Sequence, residues 1–239
     1  MTSSPLELVG VADVFASYAA MVRHRLATSD PDAPFRLACS GGSAGRDCLA
    51  ALVREGIDWS RIEVYLVDER RVPWTSPFSN GRSLAEALGP HRSELAGFFP
   101  IDPEAKPEAY AAKLAPFAGR FDLIQLGMGP DGHTASIFPG SSALDTKDDR
   151  LVVANVDPSG ANPYERITLT YHAIAQARLA VVTVAGGAKH EALRRVVSGE
   201  DLPVARVRAG RVVVLVDREA AGSLPVAPLP EELVGGGQR

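Results

Sequence analysis

The segment of this sequence best suited to chemistry is a glycine-rich loop that carries an aspartate and a histidine. Residues 126–140 read LGMGPDGHTASIFPG and follow the apolar run 121–125, which predicts a buried strand. In an open α/β sheet, the loop at the carboxyl end of a strand is where ligands bind. Histidine is the side-chain type whose unperturbed pKa lies nearest neutrality, so His133 is our candidate for a catalytic base. Taken alone, the segment also fits a turn with a surface histidine.

Three further loops carry residues that suit an anionic ligand. The segment 40–43 (SGGS) lies between a predicted strand and a predicted helix, where glycine N–H groups and a helix N-terminus attract phosphate. The segment 68–71 (DERR) ends a strand, and its arginines have the planar fork that binds phosphate or carboxylate at two points. The segment 186–189 (GGAK) places Lys189 in the first turn of a predicted helix, where a bound anion would offset its charge.

Each of these loops alone also fits an ordinary structure: an N-cap at Ser43, a solvated strand end at 68–71, or a surface lysine. In a parallel sheet with right-handed crossovers, however, all four strand ends meet at one edge. We therefore expect one shared site, with cations and a phosphate cradle on one side and an acid–base pair on the other. Such a site suits a small phosphorylated metabolite.

Alternating strands and helices predict the framework that positions these loops. The pattern is typical of an α/β fold of three layers, with a mostly parallel sheet covered by helices on both faces. Helices are predicted over about 13–26, 44–54, 80–88, 107–117, 172–176 and 189–197. Strands are predicted over 35–39, 62–67, 121–125, 151–154, 166–170, 179–184 and 211–216.

Length and composition leave room for one large α/β domain or two small ones, because 239 residues with 46% hydrophobic content can bury a large core. We predict a single domain over 1–220 and a loosely packed C-terminal tail over 221–239, which is rich in Pro and Gly. The net charge of −4 argues against a general nucleic-acid binder.

The cellular compartment is predicted from cysteine usage and from the lack of targeting or membrane-spanning segments. The two cysteines, Cys39 and Cys48, fit neither a disulfide framework nor a metal cluster, so we expect buried thiols. No apolar run reaches the roughly 18 residues that span a bilayer, and the N-terminus lacks the basic start and apolar core of a signal peptide. We expect a cytoplasmic protein that binds neither membrane nor nucleic acid, as a monomer or weak homodimer.

Taken in order, five segments resemble the 6-phosphogluconolactonase family. They are 40–43, 67–73 with Ser79 and Asn80, 127–140, 166–170 and 186–189, and the resemblance extends from about residue 35 to 217. It implies a modified Rossmann-like α/β fold shared with glucosamine-6-phosphate deaminase. It also implies hydrolysis of a 6-phosphogluconolactone ring ester in the oxidative pentose phosphate pathway, without a metal, a nucleotide or another cofactor.

The resemblance also implies roles for individual residues. The histidine matching His133 activates water, and the arginine matching Arg70 binds the substrate near the reacting centre or its phosphate. Lactone hydrolysis passes through a tetrahedral oxyanion, which Arg70 or backbone N–H groups would stabilise, while Asp131 would orient the imidazole or hold the water. Substrate and phosphate binding is predicted at Gly41, Gly42, Ser43, Asp68, Arg70 and Lys189.

Two positions depart from the pattern of this family. The family usually has Thr-Pro after its Ser-Gly-Gly-Ser, whereas Ala44 and Gly45 follow here. The family also tends to have Tyr after Ser-Asn, whereas Gly81 follows Asn80 here, and we expect altered packing at that point.

Two other functions fit the same framework. Glucosamine-6-phosphate deaminase has a glutamate in the catalytic loop where this chain has Phe138, and a tyrosine where it has Arg70. An apolar ring cannot replace a carboxylate in proton transfer, which disfavours the deaminase. A non-catalytic phosphosugar sensor would keep the phosphate cradle but would have no need for His133.

Overall fold

The computed structural model describes residues 6–146 and 148–235. Residues 1–5, on which the signal-peptide prediction partly rests, and residues 236–239 of the predicted tail lie outside the described residues.

A parallel sheet forms the centre of the fold. The strands of the described residues are β1 (Glu7–Gly10), β2 (Phe35–Cys39), β3 (Ile62–Leu66), β4 (Asp68–Arg70), β5 (Gly97–Phe99), β6 (Leu123–Gly127), β7 (Val152–Asn155), β8 (Arg166–Leu169), β9 (Leu179–Val184), β10 (Arg211–Val216) and β11 (Ala227–Pro228). Eight of them form one sheet in the order β11-β1-β10-β9-β6-β2-β3-β5, and every neighbouring pair is parallel. The predicted α/β class is confirmed.

Helices surround this sheet. They are α1 (Val14–Thr28), α2 (Ser43–Leu52), α3 (Asn80–Leu88), α4 (Pro107–Leu114), α5 (Tyr171–Ala175), α6 (His190–Val197) and α7 (Arg218–Ala221). The connection from β2 through α2 to β3 moves one way along the sheet, and the connection from β9 through α6 to β10 moves the other way. Because such crossovers are right-handed, α2 and α6 cover opposite faces. None of the helices within 6–146 and 148–235 combines the length and the apolar character needed to cross a membrane.

The directions in which the chain leaves β2 and β6 locate the site. These strands are neighbours. After β2 the chain continues to β3 on one side of the pair, and the next strand of this sheet after β6 is β9, on the other side. A crevice therefore opens outside their carboxyl ends, and open α/β sheets bind ligands at such a switch point.

A second, smaller sheet differs from the sequence-based expectation. It has the order β4-β8-β7 and is antiparallel, so 151–154 and 166–170 do not extend the parallel sheet. The physical reason is the connection: β7 and β8 are joined by a loop without a helix, whereas a parallel pair needs a crossover of a dozen or more residues. The first three residues of the segment 68–71 likewise form β4 of this sheet, and they are not the end of β3.

Three short strands of the large sheet were not predicted: the edge strands β5 and β11, and β1, which lies beside β11. β1, β5 and β11 have 4, 3 and 2 residues, too few for a periodic pattern. β11 belongs to the segment predicted as a tail, where Ala227 and Pro228 pair with β1 and Leu233 is buried.

Helix α1 shows how a local cap and an apolar stripe position one wall of the crevice. The Asp13 carboxylate accepts hydrogen bonds from the N–H groups of Phe15 and Ala16 at 2.9 and 3.0 Å, which begins the helix. Val14 and Tyr18 on the apolar stripe are buried. Phe15, from the same stripe, is only partly buried and contacts the crevice instead.

Candidate active site

The crevice at the carboxyl ends of β2 and β6 holds a cleft of about 430 Å³. Of the residues predicted for the site, Gly42, Ser43, Asp68, Arg70, His133 and Lys189 line it. Gly41 and Asp131 lie behind this lining and act on it through neighbours, as described below.

The loop after β6 is shaped by glycines that leave room for the histidine. The N–H of Gly129 donates to the carbonyl of His133 at 2.9 Å, and Gly132 has a φ of +81°. A side chain at Gly129 would place its Cβ 2.2 Å from the imidazole and 2.5 Å from the Asp131 carboxylate. Only glycine at 129 therefore allows both side chains to fold over this turn.

Asp131 and His133 are in direct contact. Asp131 Oδ1 lies 2.6 Å from His133 Nδ1 and also accepts from the His133 backbone N–H at 3.2 Å. Partial burial acts to raise the pKa of Asp131, but its hydrogen bonds with His133 outweigh burial and lower the pKa. An ionised Asp131 accepts a hydrogen bond from the Nδ1–H group, which leaves Nε2 with the lone pair that a general base needs.

The remainder of the loop is tied to the small sheet. Ser136 Oγ donates to Asp68 Oδ2 at 2.5 Å, and Asn155 Nδ2 donates to the Ser136 carbonyl at 2.7 Å. Phe138, which is buried, has its ring centroid 5.0 Å from that of His133. The hydrogen bonds anchor the segment from which Phe138 packs against the imidazole.

The loop after β2 forms the other half of the cleft. Gly42 is the N-cap of α2, and no described side chain accepts from the first N–H groups of that helix. These N–H groups are therefore left for solvent or an anion, at the positive end of the helix. A Cβ at Gly41 would lie 2.1 Å from the Cβ of Asn80, so this residue has to be glycine for α2 and α3 to approach.

A buried polar link fixes the position of this loop. Gln125 Oε1 on β6 accepts from the Ser40 N–H at 3.0 Å, and Gln125 Nε2 donates to Thr183 Oγ1 on β9 at 2.9 Å. The three residues are buried, where an amide with unmade hydrogen bonds would be costly. The link joins β2, β6 and β9 directly beneath the cleft.

We predict that Gly42→Ala and Gly41→Ala separate ligand binding from folding. A Cβ at Gly42 meets nothing within 4 Å, so this variant should keep its stability within about 1 kcal/mol. A methyl in the cleft should weaken inorganic phosphate binding by about 10-fold or more, the effect of losing one charge-assisted hydrogen bond. Gly41→Ala should instead lose about 1–3 kcal/mol of stability through overpacking. Urea unfolding measures the stability of both variants, and titration calorimetry measures their phosphate affinity. Unchanged phosphate affinity in Gly42→Ala would show that this loop does not bind the phosphate.

Both departures from the family pattern have a steric explanation. A Cβ at Gly45 would lie 1.7 Å from the carbonyl oxygen of Ser40, so a proline does not fit this backbone. A Cβ at Gly81 would lie 2.6 Å from the ring of Trp74, which occupies the space where a larger side chain would project.

The four consecutive charges at 68–71 have four different surroundings. Glu69 is buried and accepts from the N–H groups of Asn80 and Gly81, both at 2.7 Å, which fixes the start of α3. Burial raises the pKa of Glu69, and these hydrogen bonds oppose the shift. Arg71 turns away from the cleft to the carbonyls of Pro103 and Ala105. Only Asp68 and Arg70 reach the cleft.

Lys189 follows β9 and lines the cleft. The structure begins α6 at His190, so Lys189 is the residue before the helix rather than within its first turn. Burial lowers the pKa of Lys189, and the negative charge of Asp131 opposes the shift. In the described part of the chain its ammonium forms no ion pair, which leaves it available to an anion in the cleft.

Sequence reasoning missed several residues of the cleft, and Phe15, Asn162 and Arg166 are three of those that line it. Arg166 was treated only as part of a strand and a motif, although a charge at the start of an apolar strand was a usable signal. Asn162 is held by Asp157, and hydrogen bonds from Asn162 and Ser159 outweigh burial and lower the pKa of Asp157 to about 2.

Cys39 and Cys48 are both free and buried, as predicted. Burial raises the pKa of Cys39 to about 12, so this thiol is not a nucleophile at neutral pH. The described residues contain no group of three or more His, Cys, Asp or Glu side chains that could hold a metal ion.

Comparison with known proteins agrees with this geometry. A 6-phosphogluconolactonase from Rhizobium meliloti is 35% identical over 72% of this chain and 78% of the relative. One from Synechocystis is 35% identical over 79% of this chain and 84% of the relative. The crystal structure of a 6-phosphogluconolactonase from Shewanella baltica superposes with a TM-score of 0.77 at 28% identity, covering 90% of this chain and 99% of the other.

A related enzyme shows how widely the fold is shared. A monomeric glucosamine-6-phosphate deaminase has the same fold, with a TM-score of 0.74 at 22% identity over 90% of this chain and 99% of the other. The sequence profile described as glucosamine-6-phosphate isomerases/6-phosphogluconolactonase matches residues 11–216. The chain belongs to the glucosamine-6-phosphate isomerase/6-phosphogluconolactonase family.

Proposed function

We propose that this chain hydrolyses 6-phospho-D-glucono-1,5-lactone to 6-phosphogluconate, with His133 as the general base that activates water. The observation that carries the proposal is the Asp131–His133 pair, joined at 2.6 Å at the wall of a cleft that also contains a helix N-terminus and cations. The named relatives support the choice of substrate.

The reaction uses one base and one site for negative charge. His133 Nε2 takes a proton from water as the water oxygen attacks C1 of the lactone, and the carbonyl oxygen becomes an oxyanion. Arg70 or backbone N–H groups stabilise that charge. When the intermediate collapses, the bond between C1 and the ring oxygen breaks, and the ring oxygen takes the proton from His133. The product acid then loses its own proton to solvent.

The phosphate is held away from the reacting ester. We assign it to the N–H groups at Gly42 and Ser43 and to the ammonium of Lys189. Fixing the distant end of the substrate holds its carbonyl in line with the water, which lowers the entropic part of the barrier. Asp68 would repel a phosphate, so we assign its carboxylate to a sugar hydroxyl, which can donate to it.

These groups complete the chemistry without a cofactor or a metal, and we propose none. The predicted cytoplasmic location, the monomeric or weakly dimeric state and the absence of a nucleic-acid partner stay predictions from the sequence. The deaminase alternative would need an acid–base carboxylate at residue 138, where the buried Phe138 stands instead.

The decisive experiment is a hydrolysis assay. Purified protein is mixed with freshly prepared lactone, and acid release is followed against the spontaneous rate. We expect rapid release with the protein and no ammonia from glucosamine 6-phosphate. Release at the spontaneous rate would overturn the proposal, ammonia formation would favour a deaminase, and binding of 6-phosphogluconate without turnover would favour a sensor.

A further inference from the structure

Two arginines face each other in the small sheet. Arg70 on β4 and Arg166 on β8 are direct cross-strand partners in the antiparallel register, and both line the cleft. Like charges directly opposite each other in a sheet destabilise it. This arrangement therefore needs a compensating negative charge nearby.

Arg166 is almost entirely buried, with 4% of its surface exposed. Its Nε donates to the carbonyl of Tyr164 at 3.1 Å, and its terminal nitrogens form no hydrogen bond with the described residues. Burial lowers the pKa of Arg166 below the usual arginine value; Asp68 opposes this shift and Arg70 adds to it. The residue lines the cleft, so these terminal donors are left for a ligand there.

Arg70 is anchored in a similar way. One terminal nitrogen donates to the carbonyl of Phe78 at 2.8 Å, while its Nε is buried with no hydrogen-bond partner among the described residues. Each arginine is therefore fixed by a hydrogen bond to a backbone carbonyl, and each keeps N–H donors that no described residue accepts.

The neighbouring carboxylates are already engaged. Asp68 accepts from Ser136, Glu69 accepts at the start of α3, and Asp157 accepts from Ser159 and Asn162. In the described part of the chain none of the three forms an ion pair with either arginine. These carboxylates therefore offset the two positive charges only without direct contact, and the free guanidinium donors are left for a ligand in the cleft.

The position of the pair indicates which end of the ligand it meets. The Arg166 guanidinium lies 5.8 Å above the ring of Phe138, and the other neighbour of that ring is His133 at 5.0 Å. The pair therefore belongs to the wall beside the catalytic base. The phosphate has its own donors at the α2 N-terminus and Lys189.

We propose that Arg166 and Arg70 together form a two-guanidinium subsite for the carboxyl end of the substrate. The subsite binds the lactone carbonyl oxygen as it gains charge and then the carboxylate of the product. This assignment rests on the proposed function, and it adds Arg166 to the residues that contact the reacting atoms.

The test compares two ligands that differ only at that end. Titration calorimetry measures binding of 6-phosphogluconate and of glucitol 6-phosphate, which has the same phosphate and chain but a hydroxymethyl group in place of the carboxylate. Arg166→Gln should weaken 6-phosphogluconate about 10- to 100-fold, the range for a lost charge-assisted pair, and leave glucitol 6-phosphate nearly unchanged. Arg178→Gln, at a surface arginine whose side chain is 72% exposed, is the matched control and should change neither.

Each other outcome rejects the assignment. Equally weakened binding of both ligands would show that Arg166 contacts the phosphate. Unchanged binding of both ligands would show that Arg166 contacts neither end of the ligand. Thermal unfolding is measured first, and Arg166→Lys, which keeps the charge but loses the fork, replaces the glutamine variant if that one does not fold. Because binding needs no turnover, a failed lactonase assay with an intact binding difference would reject the proposed function and not the subsite.

Discussion

His133→Gln is expected to lower kcat for lactone hydrolysis by about 10²- to 10⁴-fold, the usual contribution of a general base. Glutamine is close in size to histidine and can still donate to Asp131, but its amide takes up no proton at neutral pH. KM should change little, because the phosphate and its donors are untouched. The measurement is acid release from fresh lactone at saturating substrate, corrected for spontaneous hydrolysis.

His172→Gln is the control for this variant. His172 is exposed on α5, outside the cleft, and its replacement should leave kcat unchanged. Both proteins should unfold at urea concentrations close to that of the parent, because His133 lies outside the hydrophobic core cluster and glutamine keeps a donor for Asp131. A His133→Gln enzyme with full kcat would show that the water is activated elsewhere.

The sequence predicted the parts of this protein that depend on local pattern. The strongly β-branched run that forms β9 and the glycine loops after β2, β6 and β9 were found because strand and turn signals are local. Their convergence followed from the parallel topology, which the structure confirms. The structure shows the contact between Asp131 and His133. Both roles considered for Asp131, orienting the imidazole and holding the water, stay predictions.

What the sequence did not predict depends on long-range pairing. Arg166 meets Arg70 only because a second sheet pairs β4 with β8, and no local signal indicates that register. Glu69 sits in a run of four charges typical of a solvated strand end, yet it is buried because the start of α3 packs against it. Phe15 fits the apolar stripe of α1, and only the crevice beside α2 explains its partial exposure.

Asp131→Asn is expected to lower kcat by about 10²-fold or more, as in catalytic triads where an amide replaces the carboxylate that orients the base. An asparagine amide that donates to Nδ1 favours the tautomer with the proton on Nε2, and that tautomer cannot accept a proton from water. The phosphate cradle is unaffected, so KM should change much less than kcat. Asp102→Asn, at an exposed aspartate outside the cleft, is the matched control and should keep full activity.

Stability against pH tests the same contact without substrate. The pKa of Asp131 is lowered in the folded protein, so its interaction with His133 stabilises the fold above the usual aspartate pKa and is lost as pH falls through the lowered value. The difference in unfolding free energy between the parent and Asp131→Asn should therefore be largest near neutral pH and shrink below about pH 4.

The double variant tests whether Asp131 acts through the imidazole. If it does, Asp131→Asn should lower kcat little further in the His133→Gln background. Additive losses of kcat in the double variant would instead assign Asp131 a separate role, such as holding the water.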